Sequence, residues 1–278
     1  MDILLLLKAL LLGMVEGLTE FAPVSSTGHM ILVDDMWLKS QEFLTKYVAN
    51  TFKVVIQLGS ILAVVVVFRQ RFIEMLGLKR NKAANEVTGG RLKLTQVIVG
   101  LLPAGILGVL FEDYIDEHLF TANTVLIGLA IGAILMIIAD KFAAKNQNPV
   151  IDSVDQITYK QAFSIGLIQC LSLWPGFSRS GATISGGVLL GLSHRAAADF
   201  TFIMAVPIMA GASGISLLKN WQYFTMDAMP FFVVGFISAF VFAMLSIRFF
   251  LKIIEKVKLT PFAIYRLVLV GVILLIMM

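Results

Sequence analysis

Six apolar blocks, each long enough to cross a bilayer, alternate with short charged clusters along the chain. They cover residues 52–68, 94–111, 122–139, 198–218, 229–250 and 262–278. A hydrocarbon core of about 30 Å takes roughly 20 helical residues, so each block predicts a membrane-spanning helix. Two further apolar segments are of a different kind. Ile3–Val15 holds about 13 residues, or ~20 Å of helix, and then breaks at Ala22-Pro23. Ala162–Leu173 breaks at "WPGFSRSG". Irregular backbone at membrane depth is tolerated only where protein buries it or a wet cavity receives it, so both read as re-entrant helix–turn–helix hairpins. A surface amphipathic helix is the other reading for either one.

The two broken segments resemble each other. "GMVEGLTEFAPVSSTG" (Gly13–Gly28) aligns without gaps on "GLIQCLSLWPGFSRSG" (Gly166–Gly181). Glu16 meets Gln169, Thr19 meets Ser172 and Phe21 meets Trp174; Ser25, Ser26, Thr27 and Gly28 meet Ser178, Arg179, Ser180 and Gly181. Each half then contains one hairpin and three spans. Three is odd, so the halves must lie in opposite orientations. The fold class expected is an all-α integral membrane protein built as an inverted repeat. It forms a single membrane domain over 1–278, with repeat 1 at about 1–145 and repeat 2 at about 155–278. Loop charge sets the orientation. Arg69, Arg71, Lys79, Arg80, Lys82, Arg91 and Lys93 place their loop in the cytoplasm, as do Arg248, Lys252, Lys256 and Lys258. Glu112–His118 carries four acidic residues and no Lys or Arg, so it belongs outside. The first hairpin then enters from outside and the second from inside.

Composition narrows the class. Hydrophobic residues make up 58% and charged residues 14%, against about 45–50% and about 25% in a typical soluble domain. The net charge of +4 is accounted for by the basic loops and needs no nucleic acid. A single cysteine, Cys170, excludes an internal disulfide framework and a multi-cysteine metal site. Ile3–Val15 follows Asp2 and leads into Glu16 without a small-residue cleavage site, so no secretory leader is expected there.

Charge inside a membrane segment usually marks function. Glu16 and Glu20 are four apart and share a helix face. Such a pair can hold a proton for acid–base work or bind a hard divalent cation, Mg²⁺ or Ca²⁺. After the proline, Ser25, Ser26 and Thr27 offer hydroxyls, Gly28 allows close approach of backbone, and the start of the following helix is an anion site. Any of these hydroxyls also serves as an N-cap. His29 adds a group that titrates near neutrality. In the second segment Arg179 is a permanent cation able to grip phosphate with two N–H bonds, flanked by Ser178 and Ser180 and followed by Thr183. Gln57 is expected to make an interhelical hydrogen bond, Arg266 to snorkel toward the interface, and His118 and His194 to sit in loops without partners.

"EGLTEFAPVSSTGH" and "PGFSRSGATISGG" closely resemble the two signature motifs of the undecaprenyl pyrophosphate phosphatase family, the integral-membrane type linked to bacitracin resistance. The resemblance extends over essentially the whole chain, including "FKVVIQLGSILAVVVVF" and "PFAIYR". It implies removal of the terminal phosphate of undecaprenyl pyrophosphate, which recycles a lipid carrier of cell-wall precursors. It also implies a bacterial inner (plasma) membrane location, an inverted-repeat fold and a divalent-cation requirement. By motif match, Glu16, Glu20, Ser26 and His29 would be catalytic. Arg179, with Ser178 and Thr183, would bind the pyrophosphate.

The residues themselves support a compatible chemistry. Ser26 Oγ attacks the terminal phosphorus, Glu20 or His29 takes its proton, and Arg179 and a bound cation stabilise the transferring group. In the other version Ser26 only binds phosphate and an activated water attacks. Ser25, Thr27, Gly28, Ser178, Ser180 and Thr183 are the expected substrate-binding set, and Glu16 and Glu20 the metal ligands. The competing class is a transporter or flippase for an anionic lipid or phosphate compound, which would use the same arginine and hydroxyls but needs no nucleophile. A homodimer is compatible with the sequence.

Overall fold

The protein is described by a computed structural model over residues 3–78, 91–119, 121–146, 151–223 and 226–277. Lys79, Arg80 and Lys82 of the basic loop lie outside the described residues. The described chain is all-α, with a lone bridge between Ile151 and Leu192. All six predicted spans are helices: α4 (Lys46–Val67), α6 (Leu94–Leu110), α8 (Ala122–Lys145), α11 (His194–Asn220), α12 (Met229–Val257) and α13 (Thr260–Met277). Five of them are long and apolar enough to cross a membrane; α6, at 17 residues, is shorter. The protein is a multi-pass membrane protein. Between these lie α1 (Ile3–Thr19), α2 (Ser26–Met30) with its π-helical continuation Ile31–Leu38, α3 (Ser40–Phe43), α5 (Arg69–Met75), α7 (Glu112–His118), α9 (Tyr159–Gln169) and α10 (Arg179–Leu189).

Local chemistry sets the starts. Hydroxyls of Thr45, Thr121, Thr158 and Ser193 accept from backbone N–H groups of the first turns of α4, α8, α9 and α11. Packing then divides each helix into two faces. On α12, Val233, Ile237, Val241 and Leu245 are exposed at helical spacing, while Gly235, Ser238, Ala239 and Ala243 are buried. An apolar stripe on the outside and small residues on the inside is the pattern of a helix facing lipid and packing closely on its neighbours.

The tightest neighbour of α12 is α1. Ser238 Oγ donates to the Leu10 carbonyl at 2.7 Å and Ser246 Oγ to the Leu18 carbonyl at 2.9 Å, so the two helices run parallel. Gly17 makes the approach feasible: a Cβ there would lie 2.5 Å from the Ala239 carbonyl oxygen. Gly17→Leu should therefore force the pair apart and destabilise the protein by about 1–3 kcal/mol or more. Thermal melting in detergent checks this; an unchanged melting temperature would contradict the packing.

The second broken segment is built on the same plan. Gly166 of α9 sits against Gly100 of α6, and Thr95 Oγ1 and the Tyr159 hydroxyl are 2.7 Å apart. These contacts make α9 and α6 parallel. Between α9 and α10 the chain tightens into a 3₁₀ turn, Cys170–Leu173, and reverses.

The ends of the bundle differ in charge partners. At one end Arg71 pairs with Asp155 at 2.5 Å, and His194 Nε2 meets Asp140 Oδ1 at 2.7 Å. Asp140 also accepts from the backbone N–H groups of Leu259 and Thr260. At the other end Lys219 lies 3.8 Å from Glu112, and Tyr47 stacks on Tyr223.

Three expectations are corrected. His118 ends α7, with its Nδ1 3.2 Å from the Tyr114 carbonyl and its ring stacked on Tyr114. His194 is not a partnerless loop residue: it opens α11 and binds Asp140. Arg266 does not snorkel. It is 0% exposed and donates from Nη2 to the carbonyls of Gly128, Gly176 and Phe177 at 3.3, 3.0 and 2.9 Å. The reason is that Gly176 and Phe177 belong to a turn, whose carbonyls lack helical partners, and Arg266 supplies them. Gln57 does make an interhelical bond, accepting from Ser213 Oγ at 3.2 Å.

Candidate active site

Both breaks end in the same backbone device. Ser25 has φ 69° and Ser178 has φ 73°, left-handed values rare for a residue with a side chain. Each serine caps the helix that follows: Ser25 Oγ accepts from Gly28 N–H at 3.5 Å, and Ser178 Oγ from Gly181 N–H at 3.2 Å. The sharp turn places the next residue, Ser26 or Arg179, at the tip of its helix. Ser180 Oγ ties the tips together by donating to the Ala22 carbonyl at 3.2 Å.

Glu20 bridges the two. Its Oε2 accepts from Ser26 Oγ at 2.6 Å and its Oε1 from Arg179 Nη2 at 3.0 Å. Both carboxylate oxygens are thus committed, one to a hydroxyl and one to a guanidinium. Glu16, one helical turn earlier, is buried and joins Glu20 and Arg179 in one charge cluster. Arg179 Nη1 is buried without a hydrogen-bond partner.

Two cavities meet here. The smaller, about 270 Å³, is walled by Glu20, Ser25, Ser26, Thr27, Ser178 and Arg179. The larger, about 520 Å³, is mostly apolar and carries Glu16, Lys53, Met30 and Ile31. Ser26, Thr27 and Gln57 are common to both walls.

Four predicted residues stand elsewhere. Gly28 packs on Leu129, and Ser180 is spent on Ala22 and Ser178. Thr183 Oγ1 donates to the Arg179 carbonyl and accepts from Thr201, outside the cavity wall. His29 makes its side-chain hydrogen bonds to residues other than Ser26 and Glu20. Its Nδ1 donates to the Ser25 carbonyl at 2.8 Å, which leaves Nε2 to accept from the Tyr265 hydroxyl at 2.7 Å. Tyr265 is among the residues the sequence reading missed, although it lies inside the "PFAIYR" block.

The family model described as bacitracin resistance protein BacA matches residues 9–273, which takes in every residue of this site. The chain belongs to the BacA family. BacA-type relatives are similar over nearly their full length. An undecaprenyl-diphosphatase of Geobacillus sp. (strain WCH70) is 74% identical, with 98% of each chain covered. An undecaprenyl-diphosphatase of Anoxybacillus flavithermus is 72% identical and one of Bacillus subtilis (strain 168) 62% identical, again with 98% of each chain covered. In this chain of the BacA family the residues brought together by the two breaks are Glu16, Glu20, Ser26, Thr27 and Arg179, around two adjoining cavities.

Proposed function

We propose that this chain is an undecaprenyl-diphosphatase that converts undecaprenyl pyrophosphate and water into undecaprenyl phosphate and inorganic phosphate. The observation that carries this is the Ser26–Glu20–Arg179 relay: a nucleophile, a proton acceptor and a phosphate-binding cation within hydrogen-bond contact, in a protein of membrane helices. Ser26 Oγ attacks the terminal phosphorus while its proton passes to Glu20 Oε2. The bond from that phosphorus to the bridging oxygen breaks, and undecaprenyl phosphate leaves with the electron pair. Glu20 gives its proton to that departing oxygen, then takes one from the water that attacks the phosphoserine and returns it to Ser26 Oγ as the phosphorus–Oγ bond breaks and inorganic phosphate leaves. Arg179 stabilises the charge on the transferring group throughout. His29, locked by Ser25 and Tyr265, holds the Ser25 turn and thereby aims Ser26. Ser25, Thr27, Gly28, Ser178, Ser180 and Thr183 shape the phosphate-binding turns, through backbone as much as through hydroxyls.

Glu16 lies beside Glu20, so these two carboxylates are the residues that would hold a Mg²⁺ or Ca²⁺ ion. Such an ion would supply charge neutralisation on the pyrophosphate. We further propose that the two breaks are re-entrant hairpins of an inverted repeat, over about 1–145 and about 155–278. The twin left-handed serines and the parallel pairs α1–α12 and α9–α6 support this. With basic loops inside, the site opens outward in the plasma membrane, where recycling the carrier serves cell-wall synthesis and bacitracin resistance.

Purified protein in detergent, given undecaprenyl or farnesyl pyrophosphate, should release phosphate, and chelator should suppress the release until Mg²⁺ or Ca²⁺ is restored. Detergent abolishes compartments, so a transporter would release none. Orientation is checked separately. A cysteine at exposed Gln41 should react with an impermeant thiol reagent in intact cells, and one at Asn81 should not. The opposite labelling would place the site on the cytoplasmic side.

A further inference from the structure

The small cavity has a second unpaired donor besides Arg179 Nη1. Gln169 is the last residue of α9, 2% exposed, and lines the same cavity. Its backbone is satisfied, because Ser172 Oγ donates to the Gln169 carbonyl at 2.6 Å. Its side-chain Nε2 is fully buried and has no hydrogen-bond partner. Buried donors in folded proteins are almost always paired, and one kept unpaired in a cavity wall calls for a ligand acceptor. The other unpaired donor of the same cavity is a guanidinium nitrogen, so the missing acceptor is an anion.

The position has a counterpart. Gln169 stands as far before the left-handed Ser178 as Glu16 stands before the left-handed Ser25. Glu16 lines the adjoining cavity and offers only acceptor oxygens there. Gln169 offers N–H donors in the cavity where Arg179 sits. The two equivalent positions therefore have opposite hydrogen-bonding character, one suited to a cation and one to phosphate oxygen.

We infer that Gln169 is a substrate-binding residue whose Nε2 donates to a phosphate oxygen of the pyrophosphate, beside Arg179 Nη1. This rests on the phosphatase reading for its substrate, but the anion site itself does not. The test is Gln169→Met, which keeps the volume and removes the donor. With a polyprenyl pyrophosphate in detergent, KM should rise about ten- to a hundred-fold, the worth of one hydrogen bond to a charged group, with kcat nearly unchanged. Inorganic pyrophosphate should inhibit the variant more weakly by the same factor, and Gln169→Glu should not be inhibited measurably. The melting temperature of Gln169→Met without ligand should equal or exceed the wild type's, because an unpaired buried donor has been removed. Unchanged KM and inhibition overturn the inference. So does a lower melting temperature or failure to fold, because either would show that the amide serves the fold. If wild-type protein releases no phosphate, the phosphatase reading falls. The inference then still stands or falls on whether inorganic pyrophosphate raises the melting temperature of wild type more than that of Gln169→Met.

Discussion

Glu20→Gln should lower kcat by about three orders of magnitude or more while the protein still folds. The substitution keeps the shape of the side chain and removes its charge. Ser26 Oγ, 2.6 Å from Glu20 Oε2, then has no base to receive its proton, and loss of a general base alone removes about 10²–10⁴-fold. A second loss adds to the first. Arg179 Nη2 is held at 3.0 Å by Glu20 Oε1, and breaking a buried ion pair from one side destabilises by roughly 3–5 kcal/mol. Glu16 remains beside Arg179 and offsets part of that. The melting temperature should accordingly fall by less than complete loss of the pair would cause. Glu16→Gln should be the milder variant in kcat, because Glu16 makes no hydrogen bond to Ser26 among the described contacts. Steady-state kinetics and melting curves on the two purified variants check both expectations. A Glu20→Gln enzyme retaining a tenth of wild-type kcat would remove Glu20 as the base.

The sequence made the spans legible because lipid demands apolar stripes wherever a helix faces it. Its errors fall where a polar residue is satisfied by a distant partner. The apolar run of residues 122–139 stops at Asp140, yet α8 continues to Lys145, because His194, Leu259 and Thr260 satisfy that carboxylate. Ile3–Val15 similarly underestimates α1, which runs on to Thr19 because Glu16 turns inward toward Glu20 and Arg179. Arg266 was misplaced for the same reason, since its acceptors are carbonyls of a turn far away in sequence.

The site divides along the same line. Glu20, Ser26 and Arg179 were legible as residue types that phosphate chemistry needs inside a membrane. The choice between Glu20 and His29 as base was not. The proposal of Glu20 rests in part on Tyr265, which lies 236 positions from His29 and is 2.7 Å from its Nε2. Thr183 has partners that its motif position did not announce. It lies one helical turn after Arg179, and its hydroxyl is engaged by the Arg179 carbonyl and by Thr201, a residue of α11.

Ser26→Ala should be as severe as Glu20→Gln, but with a different signature. In the proposed mechanism the hydroxyl oxygen receives the phosphoryl group, so its removal should reduce kcat by several orders of magnitude with little change in KM. Stability should barely move, because Glu20 keeps its pair with Arg179 and loses only one hydrogen bond. A serine that merely bound phosphate would matter far less. One hydrogen bond to a charged group is worth at most about 3 kcal/mol, or roughly a hundred-fold. Thr27→Ala, on the same cavity wall, sets that scale within the same protein and should stay inside it. The comparison requires kcat and KM for both variants on one pyrophosphate substrate, with melting curves to confirm folding. Rapid-quench labelling with substrate carrying ³²P in its terminal phosphate should also leave phosphoserine in wild type and none in Ser26→Ala. If Ser26→Ala keeps more than about a tenth of wild-type kcat, the phosphoserine route is wrong. The Glu20 carboxylate would then be activating water directly, with Ser26 as one more donor to the phosphate.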